Sequence, residues 1–402
     1  MRKKTNMPSL AFQKHSQLGE DSWHSILISL LRGLAAFEVA AAHLRAVMYP
    51  GLRTIQDPSL AYQALAFFTG FGHQAVLLFF VISGWLVGGS LLNRAGQPDA
   101  IANYAIDRMS RLWTVLIPTF ALTLLFSLGT GETVWGGIDV SPANEFSAAA
   151  FAGNLVGLQG GVAVPEFGGN FPLWSLANET WYYVMFPLLV LMFTARRLVN
   201  RTACALSLVA LAAFLPHNIV LYFSIWLLGV AFSRLRIEAG LVARCVWLVL
   251  LLAVSVYSRL TGTNDDIGPQ TYMQDLVCSL MFLVFLSSLQ FQAAPASKWQ
   301  RPLAGIGKFF AEFSFTLYVL HVPLIVLMQH WMTGLYGLRH LSPAAPLHFA
   351  IYFGMLALVM LGAYLAYRMF ESQTYRIRRL IKDRLSGHGT PLPAGRTAPA
   401  DS

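Results

Sequence analysis

The sequence predicts an all-α fold: a polytopic membrane protein of ten transmembrane helices with its N-terminus and C-terminus in the cytoplasm. Three observations carry that expectation. Of 402 residues, 56% are hydrophobic and 12% charged, and with a positive mean hydropathy this excludes an ordinary soluble globule. Apolar runs of about 20 residues, the length that crosses a ~30 Å hydrocarbon layer, recur along the chain. Lys and Arg gather in alternate loops, as the positive-inside rule requires. The formal charge of +9 therefore reports orientation, and no nucleic-acid partner is expected.

A polar stretch, 1–25, precedes the first apolar run and is expected to be a cytoplasmic tail that no signal-peptide cleavage removes. Spans are then expected near 26–48, 67–92, 111–128, 174–195, 202–216, 217–234, 242–259, 272–290, 311–335 and 347–370. The fifth and sixth are separated only by Pro216-His217, which allows a tight turn or one kinked helix. Fusing them inverts every later loop and spoils the charge pattern. With two helices, the inner segments hold Arg2, Lys3, Lys4, Lys14, Arg94, Arg108, Arg111, Arg196, Arg197, Arg201, Arg234, Arg236, Arg244, Lys298, Arg301 and Lys308. The outer loops hold Arg45, Arg53, Arg259 and Arg339, together with most loop acids, among them Glu132, Asp139, Glu145, Glu166, Asp265 and Asp266. In the outer loop 129–173, "EFSAAAFAGNLVGLQG" is apolar but too short to span, so a re-entrant or interfacial segment is expected. The transmembrane domain is thus 26–371. The remainder, 372–402, is basic at first and then Pro/Gly-rich, and its end is expected to be disordered. No internal repeat is found. Cys204, Cys245 and Cys278 are isolated and show no metal-ligand spacing, so neither disulfide nor metal is expected.

"LLRGLAAFEVAAAHLRAVMY" carries Arg32, Glu38 and His43 within a span, where a charge costs roughly 2.5–3.5 kcal/mol even on insertion scales. Arg32 and His43 are separated by about 1100° of helix rotation and ~16 Å of rise, so they share one face. Arg32 falls in the inner third and His43 in the outer third. Glu38 lies on another face and is expected to pair with another helix. Glu179, about one and a half turns into the fourth span, falls at about His43's depth, and His73 at the mouth of the second span is a further candidate for that layer. A carboxylate beside an imidazole fixes its tautomer and suits it to general-base work; interhelical glue is the alternative. His321 is expected deeper, followed by Pro323, which frees a backbone carbonyl. Arg108 and Arg111 share a face at the entry to the third span, either as positive-inside anchors or as a phosphate clamp. Ser83 in "FFVISGWLVGGS" lacks the G-x-S-x-G elbow, and small residues permitting close helix approach explain that stretch better.

Several stretches together resemble one family, acyltransferase family 3, the integral-membrane O-acyltransferases that modify sugars and cell-surface polysaccharides. "RGLAAFEVAAAH" matches its Arg-x10-His signature. "AVLLFFVISGWL" is similar to its second-span element, with Leu77 where Asp is common. "DRMSRLWTVLIP" resembles its basic element, with Asp107 at one arginine position. "WSLANETWYYVMFP" and "FSFTLYVLHVP" resemble two further elements, with Thr180 at the second acid position of the first, and "FESQ" meets the usual Glu-x-Pro only through Glu371. The resemblance runs in order from residue 31 to about 323 and implies a multi-pass protein of a bacterial-type inner membrane. It implies acyl-CoA, most commonly acetyl-CoA, as cytoplasmic donor and a hydroxyl of a carbohydrate or cell-surface glycan as acceptor. Arg32, Arg108 and Arg111 would hold the donor, and His43 with Glu179 would be catalytic. His73, Trp174 and His321 are the candidate substrate-binding residues. A covalent acyl-His43 intermediate, a macrolide-like small-molecule acceptor, and a transporter or flippase for a lipid-linked saccharide are the alternatives.

Overall fold

A computed structural model describes residues 8–16, 23–133, 136–137, 145–261, 267–290 and 300–385. The elements follow the apolar runs: β1 (Ser9–Phe12), α1 (Trp23–Met48), α2 (Leu60–Phe68), α3 (Gly72–Ser83), a π-helical turn (Gly84–Gly88), α4 (Gly89–Asn93), α5 (Ala100–Thr130), β2 (Glu132–Thr133), β3 (Gly136–Gly137), α6 (Ala148–Leu155), α7 (Leu173–Thr194), α8 (Leu198–Phe214), α9 (His217–Phe232), β4 (Leu235–Glu238), α10 (Leu241–Thr261), α11 (Tyr272–Ser288), α12 (Gln300–Tyr336), α13 (Pro346–Met369) and α14 (Thr374–Leu385). The Pro/Gly-rich end expected to be disordered lies outside the described residues. So do Arg2, Lys3, Lys4, Asp139, Asp265, Asp266 and Lys298 of the charge pattern.

Each of the ten expected spans coincides with a helix or a run of helices. Among the described residues, seven helical segments are long and apolar enough to cross a membrane. The other three, α8, α9 and α11, have 17, 16 and 17 residues, or roughly 24–26 Å at ~1.5 Å per residue. The fifth and sixth runs are two helices, because Leu215 and Pro216 both adopt extended backbone between them. Two helices start earlier in the chain than hydropathy indicated: α5 at Ala100 and α12 at Gln300. Arg108 and Arg111 therefore lie inside a continuous helix rather than at its mouth. The apolar stretch "EFSAAAFAGNLVGLQG" contains the short α6, capped by the Ser147 hydroxyl, which accepts from Ala150 N–H at 3.0 Å.

The helices pack around two cores. One joins α3 and its π-helical turn to α7 and α9 through Phe80, Trp85, Tyr182, Phe223 and Trp226; the other joins α1, α12 and α13 through Leu44, Phe313, Leu317 and Tyr352. Close approach in the first core depends on glycine, as the small residues of "VISGW" led one to expect. A Cβ at Gly84 would stand 2.0 Å from the Trp226 carbonyl oxygen, and one at Gly229 would stand 2.1 Å from that of Val81. Both obstacles are backbone, which cannot swing aside. Gly84→Ala is expected to destabilise the protein by about 1–3 kcal/mol through overpacking, seen as a lower melting temperature of the purified chain in detergent.

At one end of the bundle the chain segments are tied together. β1 and β4 pair antiparallel with Leu10 opposite Ile237, and Ser16 N–H donates to Asn93 Oδ1 at 3.1 Å. The polar N-terminal stretch therefore carries a strand that its composition did not announce. At the other end, Ser59 Oγ donates to the Pro343 carbonyl at 3.1 Å, and Leu341 N–H to that of Met48 at 2.6 Å.

Candidate active site

His43 on α1 and His321 on α12 meet, with Nδ1 of the first 2.7 Å from Nε2 of the second. Their order of protonation follows from the backbone. Nδ1 of His321 faces the carbonyls of Tyr318 at 2.7 Å and Leu317 at 3.2 Å. Carbonyls only accept, so this nitrogen carries the hydrogen and Nε2 of the neutral ring keeps its lone pair. His43 Nδ1–H must then donate to that lone pair, leaving His43 Nε2 as the basic atom. The His321 ring is fully buried and His43 is half-buried. The edge of Phe171 packs against His43 at 4.8 Å between centroids.

Pro323 helps to fix this layer. Lacking an N–H, it cannot satisfy the carbonyl four residues back, which belongs to Val319. Asn170 Nδ2 donates to that carbonyl at 2.8 Å, anchoring the segment between α6 and α7 one residue before Phe171. Ser175 Oγ and the Tyr318 hydroxyl, 2.5 Å apart, join α7 to the same turn of α12.

Glu179 belongs to a different group from the one its depth suggested. Its carboxylate accepts hydrogen bonds from Ser83 Oγ and the Tyr183 hydroxyl, both very short, while His43 bonds His321. Trp226 Nε1–H donates to Ser83 Oγ at 3.2 Å, completing a polar knot between α3, α7 and α9. Arg32 lies within electrostatic reach of Arg111, Glu371 and Glu179. Glu371, in the turn after α13, accepts from Thr316 Oγ1 at 2.6 Å and Thr316 N–H at 3.2 Å. Arg111 sits over Phe315 and Arg108 over Tyr183, each 5.9 Å from the ring centroid. Arg32, Arg108, Arg111, Glu179 and Glu371 thus form one charged layer, drawn from four separate parts of the chain.

The other expected site residues make contacts of their own. His73 Nε2 contacts Asp275 Oδ1 at 2.7 Å, and the second carboxylate oxygen takes a very short hydrogen bond from the Tyr222 hydroxyl. Trp174 packs half-buried at the rim of the first core, beside Gly160. Glu38 does pair with another helix: its Oε1 accepts Phe71 N–H at 2.8 Å, at the start of α3, near the charges of Arg45 and Arg259. Arg45 Nε–H bonds Thr69 Oγ1 at 2.8 Å, so Glu38 and Arg45 brace the α2–α3 corner.

A histidine with one nitrogen held by His321, on a helix that also carries Arg32 among arginines and carboxylates, is an arrangement suited to proton transfer within a helical bundle. Comparison with known proteins agrees. The acyltransferase-3 family model, described as an acyltransferase domain, matches residues 26–368, and the chain belongs to that family. The chain is also similar to acyltransferase MdmB of Streptomyces mycarofaciens, at 25% identity over 407 residues, covering 92% of this chain and 95% of that protein. No solved structure matches it significantly. Membrane acyl transfer is accordingly the class of activity.

Proposed function

We propose that the chain moves an acyl group, acetyl first among candidates, from cytoplasmic acyl-CoA to a hydroxyl of a carbohydrate or cell-surface glycan. On this reading it crosses the inner membrane ten times with both ends in the cytoplasm. The observation that carries the reading is the lock on His43 by His321 and the Tyr318 carbonyl, in line with the layer around Arg32.

Each residue then has a task. His43 Nε2 takes the proton of the acceptor hydroxyl as its oxygen attacks the thioester carbonyl. The new C–O bond forms, the C–S bond breaks, and the CoA thiolate leaves and is protonated from the His43 imidazolium. The His43 Nδ1–H remains bonded to His321 throughout, so the ring neither tumbles nor changes tautomer. Arg32, Arg108 and Arg111 hold the donor's polar arm and phosphates. Glu179 holds Arg32's layer in place and acts on His43 only through it.

Sidedness tests this proposal. In sealed proteoliposomes, acyl-CoA supplied to the face bearing β1 and α14 is expected to acylate a glycan supplied to the opposite face, detected by mass spectrometry of the glycan. Transfer only when both substrates share the inner face would instead favour a small-molecule acceptor. Passage of saccharide across the bilayer without release of CoA would replace the enzyme reading with a transporter.

A further inference from the structure

At the inner end of α5 a second set of charges converges, and it includes residues beyond the family match. The buried Asp107 carboxylate takes Lys382 Nζ at 2.7 Å, Arg94 Nη1 at 3.2 Å and Arg378 Nε at 3.5 Å. Arg378 and Lys382 are four residues apart and so share one face of α14, which begins at Thr374, after the matched residues end at 368. Arg378 Nε–H also points to Ser110 Oγ at 3.4 Å, and Arg378 feels the charges of Arg108, Arg111 and Arg94. Asp107 therefore clamps α14 onto α5 beside the two arginines already assigned to the donor.

Among the described residues the charges gathered there do not balance. Arg94, Arg108, Arg111 and Arg378 outnumber Asp107 and Glu371, even when both carboxylates are ionised. Like charges held together are destabilising unless an anion joins them. A cleft between α4 and α5 is lined by Ser90, Arg94, Tyr104, Asp107 and Arg108, and Arg378 and Lys382 reach the Asp107 carboxylate of that lining from α14. Within it Arg108 Nε and the Tyr104 hydroxyl are buried with no hydrogen-bond partner, and buried donors call for an acceptor. An anion with several acceptor oxygens, the chemistry of phosphate, would answer both these donors and the positive charge around them.

We infer that α14 is a wall of the donor site, with Arg378 and Lys382, positioned by Asp107, joining Arg94 and Arg108 to bind the phosphorylated nucleotide end of acyl-CoA. This rests on the acyl-CoA reading above and deepens it. A phospholipid headgroup presents the same phosphate chemistry, and the test separates the two.

The test uses the full-length chain purified in lipid, with the double variant Arg378→Gln, Lys382→Gln and the charge-keeping double variant Arg378→Lys, Lys382→Arg. Binding of CoA and of adenosine 3′,5′-bisphosphate is measured by displacement of labelled acetyl-CoA. Loss of two charge-assisted contacts is expected to weaken both ligands roughly 10- to 100-fold and to raise KM for acetyl-CoA in step, while kcat changes little. The charge-keeping variant is expected to bind like the native chain, which rules out misfolding as the cause. Acetyl-pantetheine, which lacks the phosphates, is expected to react at the same rate with the native chain and the glutamine variant. Unchanged CoA and bisphosphate affinity in the glutamine variant overturns the assignment, as does a loss confined to binding of phosphatidylglycerol vesicles. A native chain that binds no acyl-CoA and turns over neither thioester overturns the acyl-CoA reading together with it.

Discussion

Replacing His43 by alanine is expected to lower the rate of acyl transfer by about 10²–10⁴-fold, the usual worth of a positioned general base, while leaving acyl-CoA binding largely intact. The split follows from the geometry. His43 holds one proton toward His321 at 2.7 Å and offers its other nitrogen to the acceptor, whereas the arginines assigned to the donor occupy a separate layer. Equilibrium binding of acyl-CoA and single-turnover rates, measured on the same preparation, check it. A variant that transfers at the native rate would remove His43 from the chemistry. If the donor instead acylates His43 directly, rapid quench of the native chain with labelled acyl-CoA leaves label on the protein in the absence of acceptor.

His321→Ala is expected to cost about 10²-fold in kcat, with KM for the donor nearly constant. His321 touches no reacting atom in this account; it positions His43. Without it the imidazole of His43 loses the acceptor that keeps the hydrogen on Nδ1, and the fraction of rings presenting a lone pair at Nε2 falls. The requirement for an acceptor at that point leads to a second variant. His321→Gln places an amide oxygen that can accept from His43 Nδ1–H, so it is expected to recover part of the lost rate, whereas a purely structural role would be served no better by Gln than by Ala. The pH profile separates the two further, because a ring freed to exchange tautomers titrates differently from a locked one. Equal activity of the Ala, Gln and native proteins would contradict the lock.

How far the sequence carries this account differs from element to element. The helices were legible because apolar runs and loop charges report the same boundaries independently, and even the break at Pro216 could be placed from the charge pattern. Arg32 and His43 were legible because rotation along one helix is fixed by its geometry. Which helix faces them was not. Glu179 falls at about His43's depth by residue counting, yet it turns toward Ser83 and Tyr183, since depth fixes one coordinate and the azimuth of each helix is set by packing. His321 was expected deeper and lies in His43's own layer, because distances counted from the end of an apolar run ignore tilt and the earlier start of α12 at Gln300.

Asp275 escaped notice although it is a lone acid in the apolar run "YMQDLVCSL". Such a residue needs a buried partner, and it finds His73 and Tyr222. Asp107 appeared only as a departure from the family's basic element. Its reason is visible once α14 is seen folded back onto α5, a long-range contact that no local pattern encodes. Glu38 could be assigned to another helix from its rotation alone, but its partner, the Phe71 N–H, could not.

The central claim is tested most directly by release of free CoA thiol from acetyl-CoA by the purified native chain in lipid, with and without a cell-surface glycan, followed by mass analysis of the glycan. Thiol release that requires the glycan, matched by acetyl groups gained on its hydroxyls, is the result expected. Saturable acetyl-CoA binding with no thiol released and no acyl group gained, across glycans and a panel of other acyl-CoAs, would contradict it.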